Sequence, residues 1–264
     1  MKKNTSTKLN KILDNKTLGS SELVVLTNKY FLSIRNNPAQ VKESIRLTQK
    51  KLGHFEAVNS YLNELNKILR RKNKADLINF LETYSRKENK NVESIFNKIY
   101  PSLKKIESVI TLSRSKTVIE VLKLWHEKNK KLIVVICESR PKYEGRSAAL
   151  ELANEGINVE LITDAMMGIF VPKADAVIIG ADSILKNGNA VNKVGSKALA
   201  LFCKEYKKPL YVVTTGSKLS KRNNYKTKEE NAKEVWNKPA KNLDISNIYF
   251  EEIEKKFITK IFTD

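Results

Sequence analysis

Short runs of apolar, mostly β-branched residues recur through the second half of the chain, and most end in polar residues or glycine. Runs of this kind, separated by segments with helical spacing, are typical of parallel strands that are buried on both faces. The pattern predicts strands at 108–111, 132–137, 158–162, 175–180 and 209–214, with helices at 116–128, 145–155, 165–171 and 195–206. The second half of the chain is therefore predicted to be an α/β structure built on a parallel sheet.

The first hundred residues instead carry apolar positions at helical spacing, such as Leu23, Leu26 and Tyr30 or Leu62, Leu65 and Leu69. Only two glycines interrupt this part, which predicts a set of packed amphipathic helices. Residues 1–18 are polar and are expected to be frayed. Ser20 or Ser21 is expected to cap the first helix, because serine side chains accept hydrogen bonds from free N–H groups there.

Later in the chain, the Asn187-Gly188 pair predicts a tight turn. Residues 217–242 are polar, with eight Lys or Arg and three Glu, and are predicted to form a long loop. The stretch from Ile245 to Phe262 contains enough Ile and Phe to dock back onto the sheet.

Ligands of open parallel sheets bind at the carboxyl ends of the strands, so the polar residues that follow the predicted strands are the candidates for chemistry. These are Glu138, Ser139, Arg140, Asp164, Asp182, Asn192 and Lys193. Neither G-x-G-x-x-G nor G-x-x-x-x-G-K-S/T follows a predicted strand, which argues against a dehydrogenase or a nucleoside triphosphatase.

Five motifs occur in a fixed order: E-S-R-P-x-x-x-G from Glu138, D-x-x-x-G from Asp164, I-G-A-D ending at Asp182, N-G-x-x-x-N-K-x-G from Asn187, and K-P-x-Y-V-V from Lys208. Together they resemble the family that holds the alpha, beta and delta subunits of translation initiation factor 2B, methylthioribose-1-phosphate isomerase and ribose-1,5-bisphosphate isomerase. The resemblance is strong over residues 105–215. It implies a helical N-terminal domain, residues 1–106, and a Rossmann-like C-terminal domain, residues 107–264, which forms dimers or hexamers.

The resemblance also implies roles for individual residues. Asp182 occupies the position of the isomerases' catalytic aspartate, where a partly desolvated carboxylic acid would donate a proton to a sugar oxygen. The other reading of Asp182 is a turn or helix cap. Ser113 stands at the position of the catalytic Cys, and an unassisted hydroxyl, unlike a thiol, is not ionised near neutral pH. This replacement indicates a regulatory subunit more than an isomerase.

The anion-binding part of the family site is better kept. Asn192 and Lys193 match an Asn-Lys pair that contacts substrate, and Arg140 offers a bidentate fork for phosphate. Arg140 could instead form a salt bridge with Glu138 or Asp164. Glu144 stands where the isomerases often carry Gln, which places a negative charge near the expected phosphate. The isomerases' R-G-A phosphate loop has no counterpart in the sequence.

Composition adds a formal net charge of +20, with Lys and Arg in excess in both halves of the chain. Such a surface favours polyanions such as RNA or acidic proteins, although a compositionally biased genome also produces it. Cys137 and Cys203 lie in apolar patterns and are predicted to be reduced core residues of a cytoplasmic protein. The sequence predicts no metal site, cofactor, signal peptide or membrane segment.

Three functions follow from these observations. The first is a non-catalytic relative of the initiation factor 2B regulatory subunits, binding a sugar or nucleotide phosphate in a degenerate isomerase pocket and partnered by related subunits or initiation factor 2. The second is a ribose-1,5-bisphosphate isomerase-like enzyme, favoured by Asp182, Asn192 and Lys193 and opposed by Ser113. The third is a basic RNA-associated protein. We expect a homodimer or a heteromer, with Met166, Met167, Ile169 and Phe170 as candidate contact residues.

Overall fold

The computed structural model describes residues 2–15, 18–71, 73–238 and 240–264. The chain divides into two compact units, Met1–Asn91 and Val92–Asp264. The division falls inside a long helix, whereas the domain boundary predicted at 106/107 falls just after that helix ends.

The first unit is helical because its apolar residues recur on single helix faces that need a common core. Its helices are α1 (Lys2–Leu13), α2 (Ser20–Ser33), α3 (Pro38–Leu52), α4 (Glu56–Arg70) and the first part of α5 (Lys74–Leu103). Phe31, Leu62 and Leu65 are completely buried in this core.

The N-terminus corrects two expectations. The predicted fraying of residues 1–18 does not hold for Lys2–Leu13, which form α1 and bury Leu9 and Leu13 in the core of the first unit. Helix α2 begins at Ser20 with Gly19 as its N-cap, so neither serine is the cap. Instead, the Gly19 N–H donates to the Glu22 carboxylate at 3.2 Å, and this bond satisfies a group at the helix start.

The second unit is built on a six-stranded parallel sheet, in which the five strands predicted from the sequence are joined by a sixth from the C-terminal stretch. Its strands are β1 (Ser108–Leu112), β2 (Ile133–Cys137), β3 (Asn158–Ile162), β4 (Ala176–Ile179), β7 (Leu210–Val213) and β9 (Lys260–Phe262). Their spatial order is β3-β2-β1-β4-β7-β9, and every pairing is parallel. Counted in chain order within this sheet, the order is 3-2-1-4-5-6, which is that of the doubly wound Rossmann fold.

Helices cover both faces of this sheet, which explains why its strands are continuously apolar. The helices are α6 (Lys116–Lys128), α7 (Glu144–Asn154), the short α8 (Met167–Phe170) and α9 (Ser196–Glu205). Val134 and Ile136 enter one core, together with residues of α6 and α7. Val135 and Cys137 enter the other core, together with residues of α9.

A small antiparallel sheet is formed by β5 (Ser183–Ile184), β6 (Ala190–Lys193) and β8 (Phe250–Ile253) in the order β5-β6-β8. The predicted Asn187-Gly188 turn is confirmed, since it joins β5 to β6 with Gly188 at φ +86°. The predicted docking of the C-terminal stretch is also confirmed, because β8 and β9 bury Ile253 and Phe262.

The predicted helix at 165–171 is shorter than expected. It consists of a 3₁₀ turn at Asp164–Met166, the helix α8 and a second 3₁₀ turn at Val171–Lys173. Met167 is buried there, while the Ile169 side chain is 56% exposed. Among the described residues, no helix has the length and apolar character that crossing a membrane requires.

Candidate functional site

The order of the strands reverses between β1 and β4, and ligands of this fold class bind in the crevice at that switch point. Ser113 directly follows β1, and Asp182 lies three residues after β4. The two loops approach closely, since a Cβ added at Gly180 would lie 2.5 Å from the Ser115 hydroxyl oxygen. The fold therefore brings the two predicted catalytic positions to the edges of one crevice.

Ser113 is held by the loop that follows β2. Its backbone N–H donates to the Ser139 hydroxyl at 2.7 Å, and that buried hydroxyl donates to the Cys137 carbonyl at 2.9 Å. Within the described residues, the Ser113 hydroxyl itself makes no hydrogen bond, so no base contacts it. Ser113 and Ser139 both adopt left-handed backbone conformations, at φ +65° and +66°. Such backbone strain recurs at functional loops.

Asp164 organises the same loop. Its two carboxylate oxygens accept the backbone N–H groups of Ser139 at 2.8 Å and Arg140 at 2.7 Å. Because both oxygens accept short bonds from adjacent amides, the E-S-R-P segment is fixed against the end of β3. The sequence pointed to Asp164 as a residue of the strand ends, and the structure gives it this bracing contact.

Gly145 explains the glycine that ends E-S-R-P-x-x-x-G. A Cβ added there would lie 1.9 Å from the Cys137 carbonyl oxygen, a distance that real side chains do not reach. Only glycine lets the first turn of α7 pack this closely on the end of β2. The close approach places Glu144, the first residue of α7, directly beside the strand ends.

Lys193 and Glu144 form an ion pair inside the candidate site. The Lys193 ammonium lies 3.0 Å from the Glu144 Oε1 atom, and the two side chains are only 4% and 16% exposed. The ammonium also lies 4.8 Å from the centre of the Tyr249 ring. The second carboxylate oxygen of Glu144 is buried and has no hydrogen-bond partner among the described residues. The cation predicted to hold a phosphate is thus already neutralised by this chain.

Asn192 also makes an internal contact. Its amide Nδ2 donates to the Ser196 hydroxyl at 2.8 Å, and that hydroxyl donates to the Lys193 carbonyl at 2.7 Å. The three residues together fix the turn between β6 and α9. An amide has further donor and acceptor capacity, so this contact leaves the Asn192 carbonyl oxygen for another group.

Arg140 forms neither of the salt bridges considered from the sequence. Its guanidinium donates to the Tyr143 hydroxyl and, at 3.0 Å, to the Val235 carbonyl. The Glu138 carboxylate pairs instead with Arg146, at 2.7 Å. Arg140 remains exposed to solvent at the mouth of the crevice.

A strap, which we define as residues 231–238 and 240–249, closes over the loop after β2. Glu234 ties it down: the carboxylate lies 2.7 Å from the Lys142 ammonium, accepts the Asn247 amide at 3.2 Å and accepts the Tyr249 hydroxyl. Burial by itself would raise the pKa of Glu234, but the hydrogen bonds from Lys142 and Tyr249 lower it below its usual value. Burial and the neighbouring Glu234 raise the pKa of Tyr249.

Sequence reasoning missed Glu234 and Lys218. Lys218 is buried, and its ammonium donates to the carbonyl of Ala181, the residue before Asp182, at 2.8 Å. Asp182 itself is half-buried, and its backbone N–H donates to the Val191 carbonyl at 2.8 Å. Burial raises the pKa of Tyr225, and the negative charge of Asp182 raises it further. Lys218 and Glu234 lie in a polar stretch with no periodicity, so no sequence signal set them apart.

The cysteines offer no replacement for the missing thiol. Both are free and buried, as predicted. Burial raises the pKa of Cys137 and of Cys203 to about 12, and the charge of Asp164 adds to the effect at Cys137. Neither thiol is ionised at neutral pH. The described residues also contain no group of three or more His, Cys, Asp or Glu side chains positioned to hold a metal ion.

A family model defines the class of protein. Residues 24–264 match the model of the initiation factor 2 subunit family, so the chain belongs to that family. This confirms the resemblance inferred from the five motifs.

Particular relatives fall into two groups. An eIF-2B subunit 2-like protein of Pyrococcus furiosus is 36% identical over 156 residues, which are 59% of this chain and 55% of that protein. The ribose 1,5-bisphosphate isomerase of Archaeoglobus fulgidus is 30% identical over 195 residues, 72% of this chain and 60% of that protein. The matches thus span only about half of the length of the first relatives, and both groups share this scaffold.

Solved structures agree with the fold. The eIF-2B structure from Pyrococcus horikoshii has a TM-score of 0.82 and 25% identity, over 98% of this chain and 94% of that one. A chain of the tetrameric eIF2B-beta2-delta2 complex from Chaetomium thermophilum has a TM-score of 0.81 and 14% identity, over 98% of this chain and 90% of that one. The structural neighbours therefore include subunits of an eIF2B complex.

Proposed function

We propose that the chain is a non-catalytic subunit of the regulatory type found in initiation factor 2B. The observation that carries the proposal is the ion pair between Lys193 and Glu144. A sugar phosphate would have to compete with a carboxylate that already lies 3.0 Å from the Lys193 ammonium, in a place where both side chains are largely shielded from water. The same carboxylate would repel the phosphate.

Ser113 supports the same conclusion from the other side of the crevice. The isomerase chemistry implied by the family needs a thiol at this position, and the Ser113 hydroxyl makes no hydrogen bond to a base within the described residues. Cys137 is fully buried in the strand before E-S-R-P and cannot supply the thiol. A crevice with an internally paired cation and no activated nucleophile suits binding or assembly better than turnover.

The direct test is an isomerisation assay with ribose 1,5-bisphosphate. We expect no turnover above that of a denatured control. Turnover that disappears in Asp182→Asn would overturn the proposal and establish the second candidate, an aldose–ketose isomerase. That candidate is favoured by the position of Asp182 at the switch point and by the isomerase relative.

Ligand binding is tested separately by calorimetry with ribose 1,5-bisphosphate and with adenosine monophosphate. We expect weak binding to the natural chain and about tenfold tighter binding to Glu144→Gln, because the substitution frees one charge-assisted contact from Lys193. Lys193→Met in the Glu144→Gln background should remove the gain. An unchanged affinity in Glu144→Gln would exclude Lys193 as the phosphate contact.

We further propose that the subunit acts in the cytoplasm within a homodimer or with related subunits, and that initiation factor 2 is the partner of the assembly. Ile169 on α8 and Leu201 on α9 are 56% and 48% exposed, and the nearby Met166, Phe170 and Phe202 are only partly buried against the core cluster. Exposed apolar surface of this kind is typical of contacts between subunits.

Light scattering over a concentration series tests the assembly. We expect a dimeric mass that falls to the monomeric mass in Ile169→Glu/Leu201→Glu, with the exposed Lys131→Glu as a control for the change of charge. A monomeric mass at every concentration, with or without related subunits, would contradict this part of the proposal.

A further inference from the structure

The two tryptophans of the chain lie in opposite environments. Trp125 is 1% exposed in the core beneath the sheet, whereas Trp236 is 53% exposed in the strap. Tryptophan is enriched at contact surfaces because it combines a large apolar ring with an N–H donor, so an exposed indole is a candidate contact residue. The described residues provide neither a ring nor a cation stacked on Trp236.

The backbone that carries Trp236 is firmly anchored. Its N–H donates to the Ala232 carbonyl at 3.2 Å, which extends the 3₁₀ turn at Ala232–Glu234. On one side of it, Glu234 is bound to Lys142, and the Val235 carbonyl accepts the Arg140 guanidinium. The indole is therefore presented from a fixed turn, which lowers the entropy lost when a partner binds to it.

The chain on both sides of this indole is basic. Lys233, Lys238 and Lys241 lie within five residues of Trp236 and are all exposed. Arg140, which contacts the neighbouring residue, is exposed as well and uses two of its five N–H donors on contacts within the described residues. Of the carboxylates between residues 231 and 244, Glu234 is engaged by Lys142, and Asp244 is exposed.

We propose that Trp236 and these four cations form a binding surface for single-stranded RNA. An exposed indole suits the face of an unpaired base, while the surrounding ammonium and guanidinium groups suit the phosphates that flank it. Each nucleotide of a single strand carries both an aromatic base and a phosphate, whereas an acidic peptide supplies only negative charge. The net charge of +20 adds a long-range attraction for such a polyanion.

Tryptophan fluorescence can test this proposal, because Trp236 is exposed to a ligand and Trp125 is not. A twelve-residue oligouridylate should quench the emission of Trp236 on stacking and leave that of buried Trp125 unchanged. Trp236→Phe should lose the quenching and bind the labelled oligonucleotide, followed by anisotropy, within about threefold of the natural chain. Trp236→Ala should weaken binding by about fivefold or more, because stacking on an aromatic ring is lost.

The cations are tested through the salt dependence of binding. Lys238→Ala should reduce the slope of log affinity against log salt by about 0.7, as expected for one phosphate contact with a single strand. Lys131→Ala is the matched control. Lys131 is an exposed lysine of the same unit and lies two residues before β2 begins, so it lies at the opposite edge of the sheet from the strap.

Each other outcome overturns the proposal. Equal binding by the natural chain and Trp236→Ala would show that the RNA binds elsewhere or through charge alone. Quenching by polyglutamate without quenching by RNA would assign the surface to an acidic protein. A fall from dimeric to monomeric mass in Trp236→Ala, with no RNA bound by the natural chain, would make it a contact between copies of this chain.

Discussion

At each of the two edges of the parallel sheet, one aspartate accepts two adjacent backbone N–H groups. At the amino edge, Asp175 accepts the backbone N–H groups of Glu107 and Ser108, both at 2.9 Å, where β1 begins. At the carboxyl edge, Asp164 accepts two adjacent N–H groups in the loop after β2. In each case one aspartate fixes the chain next to a neighbouring strand.

The carboxyl edge also carries two ion pairs that are shielded from water. Lys193 pairs with Glu144 and Lys142 with Glu234, and all four side chains are less than a fifth exposed. Asp175 at the amino edge is exposed. Shielded charges are costly to leave unpaired, while exposed ones are screened by water. The edge where a ligand would bind is therefore stabilised by the same charged side chains that the ligand would have to contact.

The largest expected effect is the loss of one partner of the Lys193–Glu144 pair. Lys193→Met should destabilise the second unit by about 3–5 kcal/mol at neutral pH, because it leaves a buried carboxylate without a counter-charge. Urea unfolding followed by Trp125 emission in a Trp236→Phe background measures this. Asp175→Asn, the matching change at the amino edge, should cost less than about 1 kcal/mol.

A double-mutant cycle is the control for this effect. Lys193→Met with Glu144→Gln should cost less than Lys193→Met alone, since the amide carries no charge to leave unpaired. If Lys193→Met and Asp175→Asn cost equally little, the two edges would not differ as we infer.

The sheet could be predicted from the sequence because its signal is local: apolar runs such as Ile133–Cys137 end in polar residues, and each run is one strand. Helix α1 was missed because its signal is not local. Its few apolar residues, among them Leu9 and Leu13, form a face only when the rest of the helical unit supplies a core. Likewise, the sequence identified Lys193 and Glu144 but could not show that they meet, because 49 residues separate them.

A smaller effect is expected where a glycine permits close packing. Gly145→Ala should destabilise the second unit by about 3 kcal/mol, because the new methyl group meets the Cys137 carbonyl and the backbone must shift. Gly156, in the loop before β3 at the amino edge, has φ +79° and open space around its Cβ position. Gly156→Ala should therefore cost only about 1–2 kcal/mol, from the left-handed conformation alone.

Thermal unfolding of the two glycine variants makes the comparison. The Gly145 variant should melt lower than the Gly156 variant, and equal melting temperatures would mean that α7 moves away from β2 at little cost. The motif glycine was visible in the sequence. Its reason was not, because the carbonyl it faces belongs to the strand before the motif.

The smallest effect is a response of the strap at the carboxyl edge to acid. The pKa of Glu234 is lowered in the folded protein, so the ionised carboxylate stabilises the strap fully at any pH above the ordinary pKa of a glutamate. This stabilisation is lost as the pH falls through the lowered pKa of Glu234. Below about pH 4, the strap should therefore loosen while the sheet remains folded. The emission of Trp236, taken as the difference between the natural chain and Trp236→Phe, should change there before that of Trp125. Glu234→Gln should show the loosened signal already at neutral pH. A simultaneous change of both tryptophans would mean that the strap and the sheet unfold together, and that Glu234 does not hold the strap independently.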